Sequence, residues 1–406
     1  MKGVNTMLRV DLRNAKPGME LALPVRHPKA ANQTLLKVGY TLEPKSTSRL
    51  LDMGVRSVWV RYPSLDFLDG YVSTEVVQAQ AEVMNDISDT FEAVQRRSTA
   101  KMNYDAYTKS IGKMVDALLG NPQAAVFLGD IDGDGADMMR HASTVSYLAV
   151  LIGLKLEGYM VKQRKHVDPA RAKEVNNLGV GAMLHDIGML KIDPDVRHAY
   201  ESTGDDTSPA FRAHTSLGYE QVRGNVEPTA ATVVLNHHQR FDGSGYAGEQ
   251  VPVLEGQRIH VYARIVALAD AFDELQFPVC GESQPTAGVL KRLVEPDVAA
   301  GFDPQVMRAL LTVVPPFAPG TILRLSDGNW AVAVDHNANE PCRPTVQLVP
   351  DPTSASAAEQ TGGPNIDLAE EPEDLKVVEC DGHDVADLQF EMPAALRSDH
   401  LAALWS

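Results

Sequence analysis

Between residues 74 and 119, apolar residues recur three and four positions apart: Val76, Val77, Val83, Met84, Ile87, Phe91, Val94, Met102, Ile111, Met114, Val115 and Leu118, with no proline among them. That spacing lays an apolar stripe along a helix, so the pattern predicts one or two helices. Such helices would connect the domains, as a coiled segment that pairs two copies into a homodimer or as helices packed on their own domain. Upstream the pattern shortens. Leu8–Val10, Leu21–Val25, Leu35–Lys37 and Val55–Val60 read as strands separated by Pro17-Gly18, Gly39 and Gly54, with one short helix at Ser46–Met53.

Downstream the helical period returns. Helices are predicted over Asp137–Lys162, Ala170–Leu184, Ala210–Arg223, Pro228–His238, Arg258–Leu275, Thr286–Val294 and Asp303–Val314, with a charged loop over Lys191–Ser208. After Pro315 the period falls to two: Gly320–Leu325, Trp330–Val334 and Thr345–Leu348 read as strands, followed by a low-complexity stretch from Pro350 to Pro364 and an acidic tail containing the strand-like Leu375–Val378. The expected fold is multidomain: a central all-α helical domain, a small N-terminal α+β module and a small C-terminal β extension. Its expected parts are 1–70 (accessory module), 71–125 (helical linker), 126–314 (catalytic-type helical domain), 315–350 (β extension) and 351–406 (linker and acidic tail).

Composition narrows the function classes. The 406 residues are 44% hydrophobic and 22% charged, a globular balance too long for one ordinary domain. A net charge of -17 argues against broad attraction to nucleic acid or an anionic membrane, so any anion must be held locally. Cys280, Cys342 and Cys380 form no paired motif, which fits a reducing compartment rather than a disulfide framework or a thiolate zinc site. Without a signal-like start or a membrane-length apolar run, the expected location is the cytoplasm.

The candidate chemistry lies in the helical region. His141 falls early in one predicted helix, His185-Asp186 closes another, His214 lies early in a third, His237-His238 closes a fourth, and Asp270 sits within a fifth. Adjacent helical residues point ~100° apart, so a doublet inside a helix cannot share one face. At a helix end the chain departs and both side chains can turn into one cavity. Buried imidazoles need partners for their ring nitrogens, and a shared metal centre supplies one. Upstream, Gly129–Asp137 has the opening of a calcium loop, but its twelfth position is His141 where a bidentate glutamate is required, so a turn starting the helix is the better reading.

These residues, with Ile187-Gly188 after the first doublet, Asp242-Gly243-Ser244-Gly245-Tyr246 after the second, and Ala269-Asp270 followed by Phe272-Asp273, resemble the HD phosphohydrolase superfamily and, within it, the HD-GYP subgroup of cyclic-di-GMP phosphodiesterases. The resemblance covers about residues 137–314, more weakly the flanking modules, and marks the central domain as HD-type. It implies one divalent metal on His141, His185, Asp186 and Asp270, and a second on His214, His237 and His238 with Asp186 as the bridge. Imidazole and carboxylate ligands suit iron or manganese, and also zinc or nickel. In some members a third metal takes a glutamate one turn before the first histidine; here that place is Asp137.

Carried onto this chain, the implied activity is hydrolysis of cyclic di-GMP to pGpG, GMP or both, through a hydroxide activated by two metals, with Asp186 as the catalytic bridge. GGDEF-type diguanylate cyclases or other signalling proteins are implied partners. Arg240, Asp242, Gly243, Gly245 and Tyr246 are the implied substrate contacts. Three departures stand out. Met189 occupies the place of the motif lysine, leaving Lys191 as its catalytic substitute; Ala247 stands where proline follows the tyrosine; and Glu274–Pro278 lacks a basic run, with Arg240 and Arg292 as alternatives. Asp273 reads as a supporting or capping group. These departures leave open a metal-retaining receptor of cyclic di-GMP, or an interaction module of weak or no activity, and a hydrolase of another nucleotide.

Overall fold

In this computed structural model the described residues are 7–13, 15–27, 30–55, 57–61, 71, 73–97, 101–126, 138–248, 251–350 and 363–397. Asp137, most of the calcium-like loop and most of the low-complexity stretch lie outside them. The chain opens with β1 (Met7–Asp11), β2 (Val25–His27), β3 (Ala30–Leu36), α1 (Pro44–Asp52) and β4 (Ser57–Arg61). β1 pairs antiparallel with β4, and β2 with β3, around a core of Val10, Leu12, Leu21, Leu42, Leu50, Val58 and Val60.

The 74–119 stripe becomes two helices, α2 (Thr74–Arg96) and α3 (Tyr104–Gly120), each begun by a side-chain cap, Ser73 to the Val76 amide and Asn103 to the Ala106 amide. Val83, Ile87, Phe91, Ile111 and Met114 are buried in the core of the central domain. Both helices thus share one core with the helices that follow them.

The central domain continues with α4 (Met138–Lys155), α5 (Glu157–Gln163), α6 (Pro169–Ala172), α7 (Asn176–Leu184), α8 (Pro194–Thr203), α9 (Pro209–Arg212), α10 (His214–Val222), α11 (Pro228–Asn236), α12 (Val261–Gln276), α13 (Thr286–Val294), α14 (Pro296–Ala299) and α15 (Pro304–Val313). Three predicted helices are each broken in two. The one expected from Asp137 to Lys162 bends by 85° between α4 and α5, which apolar spacing hid because Leu154, Leu156 and Met160 continue the period through the bend. The charged segment 191–208, expected as a loop, contains α8. Asp193 caps it, Pro194 opens it, Gly204 closes it in the left-handed region, and it buries no residue, so it carries no apolar period to read.

A buried ion pair ties three helices behind the site. Arg264 on α12 donates to Asp303, which caps α15, and to the Tyr159 hydroxyl of α5 at 2.8 Å, while Tyr159 donates to Asp303 at 2.6 Å. His260 caps α12 by accepting the Tyr262 amide on Nδ1 at 3.2 Å, a bond that only the neutral ring can make. Burial, with Arg164 and Arg264 nearby, pushes its pKa down to about 4. A depressed imidazole means that the unfolded chain takes up the proton first, so this contribution is intact above about pH 6.5 and is lost as pH falls towards 4. Denaturant unfolding is expected to show wild type losing more stability than His260→Asn across that window.

The C-terminal part is one six-stranded antiparallel sheet of β5 (Ile322–Leu325), β6 (Trp330–Asp335), β7 (Thr345–Val349), β8 (Asn365–Asp367), β9 (Val377–Cys380) and β10 (His383–Asp384), ordered β10-β9-β5-β6-β7-β8. Three strands of the sheet, β8, β9 and β10, come from the stretch 351–406 read as linker and acidic tail. β8 and β10 have three and two residues, too short to show alternation. The C-terminal part also meets the two parts before it. Val332 of β6 packs in the N-terminal core, the Tyr71 hydroxyl donates to Asp335 at 2.9 Å, and Met392 and Leu396 reach the core of the helical domain. No single described helix is long and apolar enough to cross a membrane.

Candidate metal centre

Helix ends build the site. His185 caps the C-terminus of α7, Asp186 follows it, and a 3-10 turn over Ile187–Leu190 turns the chain away. His237 caps the C-terminus of α11, and His214 opens α10. Three of these imidazoles share one device: Nδ1 of His185, His214 and His237 lies 2.7, 2.8 and 3.0 Å from the carbonyl oxygen three residues earlier, of Ala182, Phe211 and Val234. A carbonyl only accepts, so Nδ1 carries the proton and Nε2 presents its lone pair to the cavity.

Those lone pairs converge on Asp186. Its Oδ2 lies 3.6 Å from His185 Nε2 and 3.7 Å from His141 Nε2, and its Oδ1 lies 3.5 Å from His214 Nε2 and 3.4 Å from His237 Nε2. One carboxylate therefore faces two sets of imidazoles with different oxygens. Asp270 joins the first set, its Oδ1 at 3.1 Å from His141 Nε2 and 3.6 Å from His185 Nε2, and its Oδ2 lies 3.8 Å from His238 Nδ1. Asp186, His214, His237 and His238 form one group with metal-compatible spacing, and His141, His185 and Asp186 form another.

His214 Nε2, His237 Nε2 and Asp270 Oδ2 are buried with no hydrogen-bond partner. Leaving such atoms unpaired costs about 1–3 kcal/mol each, and a cation coordinated between them would satisfy all three. Charge follows the same design. Burial opposes ionisation of Asp186, yet His185, His237 and His214 hold its carboxyl well below the usual range. Burial likewise opposes ionisation of Asp270, but His141 and His185 hold it low. Burial pushes His214 down to about 4, and burial with His237 beside it keeps His238 low as well. Charged carboxylates and neutral imidazoles, as at His214 and His238, are the forms that bind a divalent cation; at His141 and His185 burial also opposes the proton, but Asp270 and Asp273 raise the first and Asp186 and Asp270 the second.

Asp273 and Arg140 set the ring of His141. Asp273 Oδ2 takes the Nδ1 proton of His141 at 2.7 Å, and Arg140 holds the same carboxylate with two bonds of 2.8 and 2.9 Å while lying over the Phe277 ring. The sequence placed Asp273 as a supporting group and missed Arg140, which neighbours His141 and carries no separate signal. Asp273→Asn is expected to keep the fold and lower metal affinity by about 10–100-fold, the usual effect of losing a carboxylate that orients a ligand. Isothermal titration with manganese checks it.

Glu274 was also missed. It lies one turn after Asp270 on α12, so the i, i+4 spacing could have placed it on the site face. Burial and the charge of Asp270 push its carboxyl up to about 8.

The other expected residues are distributed around this cluster. Lys191 follows the 3-10 turn and is partly exposed. Met189 is buried with Ile192 and Phe211. Arg240 leans over the Phe302 ring, 5.1 Å from its centroid. Asp242 accepts the Ser244 amide and hydroxyl, and Gly243 takes the left-handed conformation that this turn needs. A Cβ on Gly245 would lie 2.3 Å from both the Arg240 amide and the His238 carbonyl, so the loop folds tightly onto the second histidine pair. Tyr246 stacks on His238 at 4.7 Å between ring centroids, with Arg212 over its ring.

Residues 138–275 match the HD domain family, a span that holds His141, His185, Asp186, His214, His237, His238 and Asp270. This segment is an HD domain. The HD resemblance read from the sequence is borne out over these residues. The chain is similar to curated cyclic di-GMP phosphodiesterases. The response regulator RpfG of Xanthomonas campestris pv. campestris is 36% identical over 106 residues, 25% of this chain and 27% of the relative. The phosphodiesterase PA4108 of Pseudomonas aeruginosa is 26% identical over 259 residues, 61% of this chain and 58% of the relative. The chain thus spans between about a quarter and three fifths of the length of these relatives. Among solved structures, Bd1817 of Bdellovibrio bacteriovorus, described as a HDG"Y"P protein, aligns with a TM-score of 0.42 at 18% identity over 75% of this chain and 98% of its own.

Proposed function

We propose that this chain is a divalent-metal-dependent phosphodiesterase that hydrolyses cyclic di-GMP to pGpG, GMP or both. The observation that carries this reading is the division of the Asp186 carboxylate, with Oδ2 facing His141 and His185 and Oδ1 facing His214 and His237. Asp270 would complete the first metal position and His238 the second, with Asp186 shared. When bound, iron or manganese in these positions would supply Lewis-acid charge for phosphodiester oxygens and an activated water. The similarity to curated cyclic di-GMP phosphodiesterases points to the substrate.

The protein's own groups have separate roles in this reading. The carbonyls of Ala182, Phe211 and Val234 keep the imidazole protons away from the cavity, and Asp273 does the same for His141. Gly243 and Gly245 let the Asp242–Tyr246 loop form a wall against His238, and Arg240 and Lys191 remain candidates for substrate contact. Purified protein supplied with iron or manganese should convert cyclic di-GMP, and absence of conversion at full metal occupancy would reject the enzyme reading.

One observation favours a second reading, a metal-retaining receptor with little turnover. Met189 lies in an apolar cluster with Ile192 and Phe211, so this turn offers no cation where the related motif has lysine. Tight binding of cyclic di-GMP without hydrolysis would favour the receptor.

A further inference from the structure

We infer that Arg212 is the phosphate-gripping residue of this site, holding the non-reacting phosphate of a cyclic dinucleotide; this rests on the nucleotide specificity proposed above but not on turnover. The lysine position of the related motif is filled by Met189, whose buried neighbour Phe211 directly precedes Arg212 in the chain. The cation missing from one segment of the site is thus offered by the adjoining one.

Arg212 is anchored without being used up. Its Nε donates to the Asp206 carbonyl at 2.9 Å, and its guanidinium lies 4.3 Å from the centre of the Tyr246 ring. Tyr246 in turn lies on His238, so the guanidinium is one aromatic ring away from an imidazole of the second group. Among the described residues, no carboxylate forms an ion pair with Arg212 and its two terminal nitrogens have no acceptor; Asp205, held low first by its Thr207 bonds, also feels its charge. An arginine fixed at Nε and by a ring face presents those nitrogens as a preset fork, the geometry that binds two phosphate oxygens at once.

The other nearby arginines have contacts of their own. Arg140 spends its fork on Asp273, and Arg240 reaches the His237 carbonyl and the Phe302 ring. In a chain of net charge -17, a guanidinium on Tyr246, a ring within electrostatic reach of Asp206, Glu274, Asp186 and Asp270, also offsets local repulsion of an anionic ligand. Tyr246 thereby acquires a definite role, since its ring, with both faces already occupied, holds the cation in place.

The test compares wild type, Arg212→Met and Arg212→Lys, all loaded with manganese. Equilibrium binding of cyclic di-GMP is measured by calorimetry, and hydrolysis of bis(p-nitrophenyl) phosphate, which has a single phosphate, is measured alongside. Arg212→Met keeps an apolar stem on Tyr246, and equal metal content and melting temperature confirm its fold. The expected result is a Kd for cyclic di-GMP raised about 10–100-fold in Arg212→Met and partly restored in Arg212→Lys, with the small diester cleaved at the wild-type rate. Unchanged cyclic di-GMP affinity in Arg212→Met overturns the assignment while leaving the phosphodiesterase reading intact. Affinity lost in the variant of a wild type that binds but does not hydrolyse would sustain Arg212 and reject the enzyme. A wild type that does not bind cyclic di-GMP rejects both.

Discussion

Asp186→Asn is expected to abolish hydrolysis and to empty both metal positions together. The amide offers one neutral oxygen where the carboxylate offers two charged ones, and Asp186 meets the first imidazole set through Oδ2 and the second through Oδ1. Losing a neighbour that merely orients a ligand lowers metal affinity by about 10–100-fold. Losing the carboxylate shared between two sets should exceed that range, and should do so for both positions. The fold is expected to survive, because Asp186 is partly exposed and caps no α-helix. Metal analysis and a melting curve on the same preparation separate the two effects. Loss of one equivalent with retention of the other would show that Asp186 is an ordinary ligand of a single ion.

Gly188→Ala should unfold or distort the site. A Cβ at Gly188 would sit 1.9 Å from the His214 carbonyl oxygen and 2.6 Å from the Gly218 amide nitrogen, contacts that backbone atoms cannot yield as a flexible side chain would. Overpacking in a filled interior typically costs about 1–3 kcal/mol, and a clash with rigid backbone belongs at or above the top of that range. The turn after His185-Asp186 would separate from α10, moving His214 away from Asp186. A melting temperature lowered by several degrees, with manganese bound more weakly than at Asp273→Asn, is the expected outcome. A variant as stable as wild type would mean that the turn and α10 are not in such close contact.

Much of this site is legible in the sequence because helix ends leave traces. The His185-Asp186 and His237-His238 doublets mark points where a helix stops and two adjacent side chains enter one cavity, and the structure places both doublets at helix C-termini. What supports them is less legible. The three carbonyls that fix the imidazole protons belong to Ala182, Phe211 and Val234, whose side chains say nothing of this role. Arg212 follows the same rule: its role depends on Tyr246 and His238 beyond the next two helices, and spacing alone cannot bring them together.

The fold shows a similar division. Asp327-Gly328 reads as a hairpin turn and connects β5 to β6. Asp381-Gly382 carries the same signal, and both residues adopt positive φ between β9, which overlaps the strand-like Leu375–Val378, and β10, which its two residues and acidic surroundings conceal. α8 is hidden for the opposite reason, since its caps are plain but it has no buried face. The packing of Val332 into the N-terminal core is a tertiary fact, invisible to any local pattern.

Metal content and cyclic di-GMP turnover, measured on one anaerobically purified sample before and after chelation, test the metal centre most directly. The expected result is two equivalents of iron or manganese per chain, conversion of cyclic di-GMP to pGpG or GMP, and loss of both on chelation with recovery on adding metal back. Protein that binds no divalent metal under any loading condition, or that hydrolyses cyclic di-GMP equally well after complete metal removal, would contradict it.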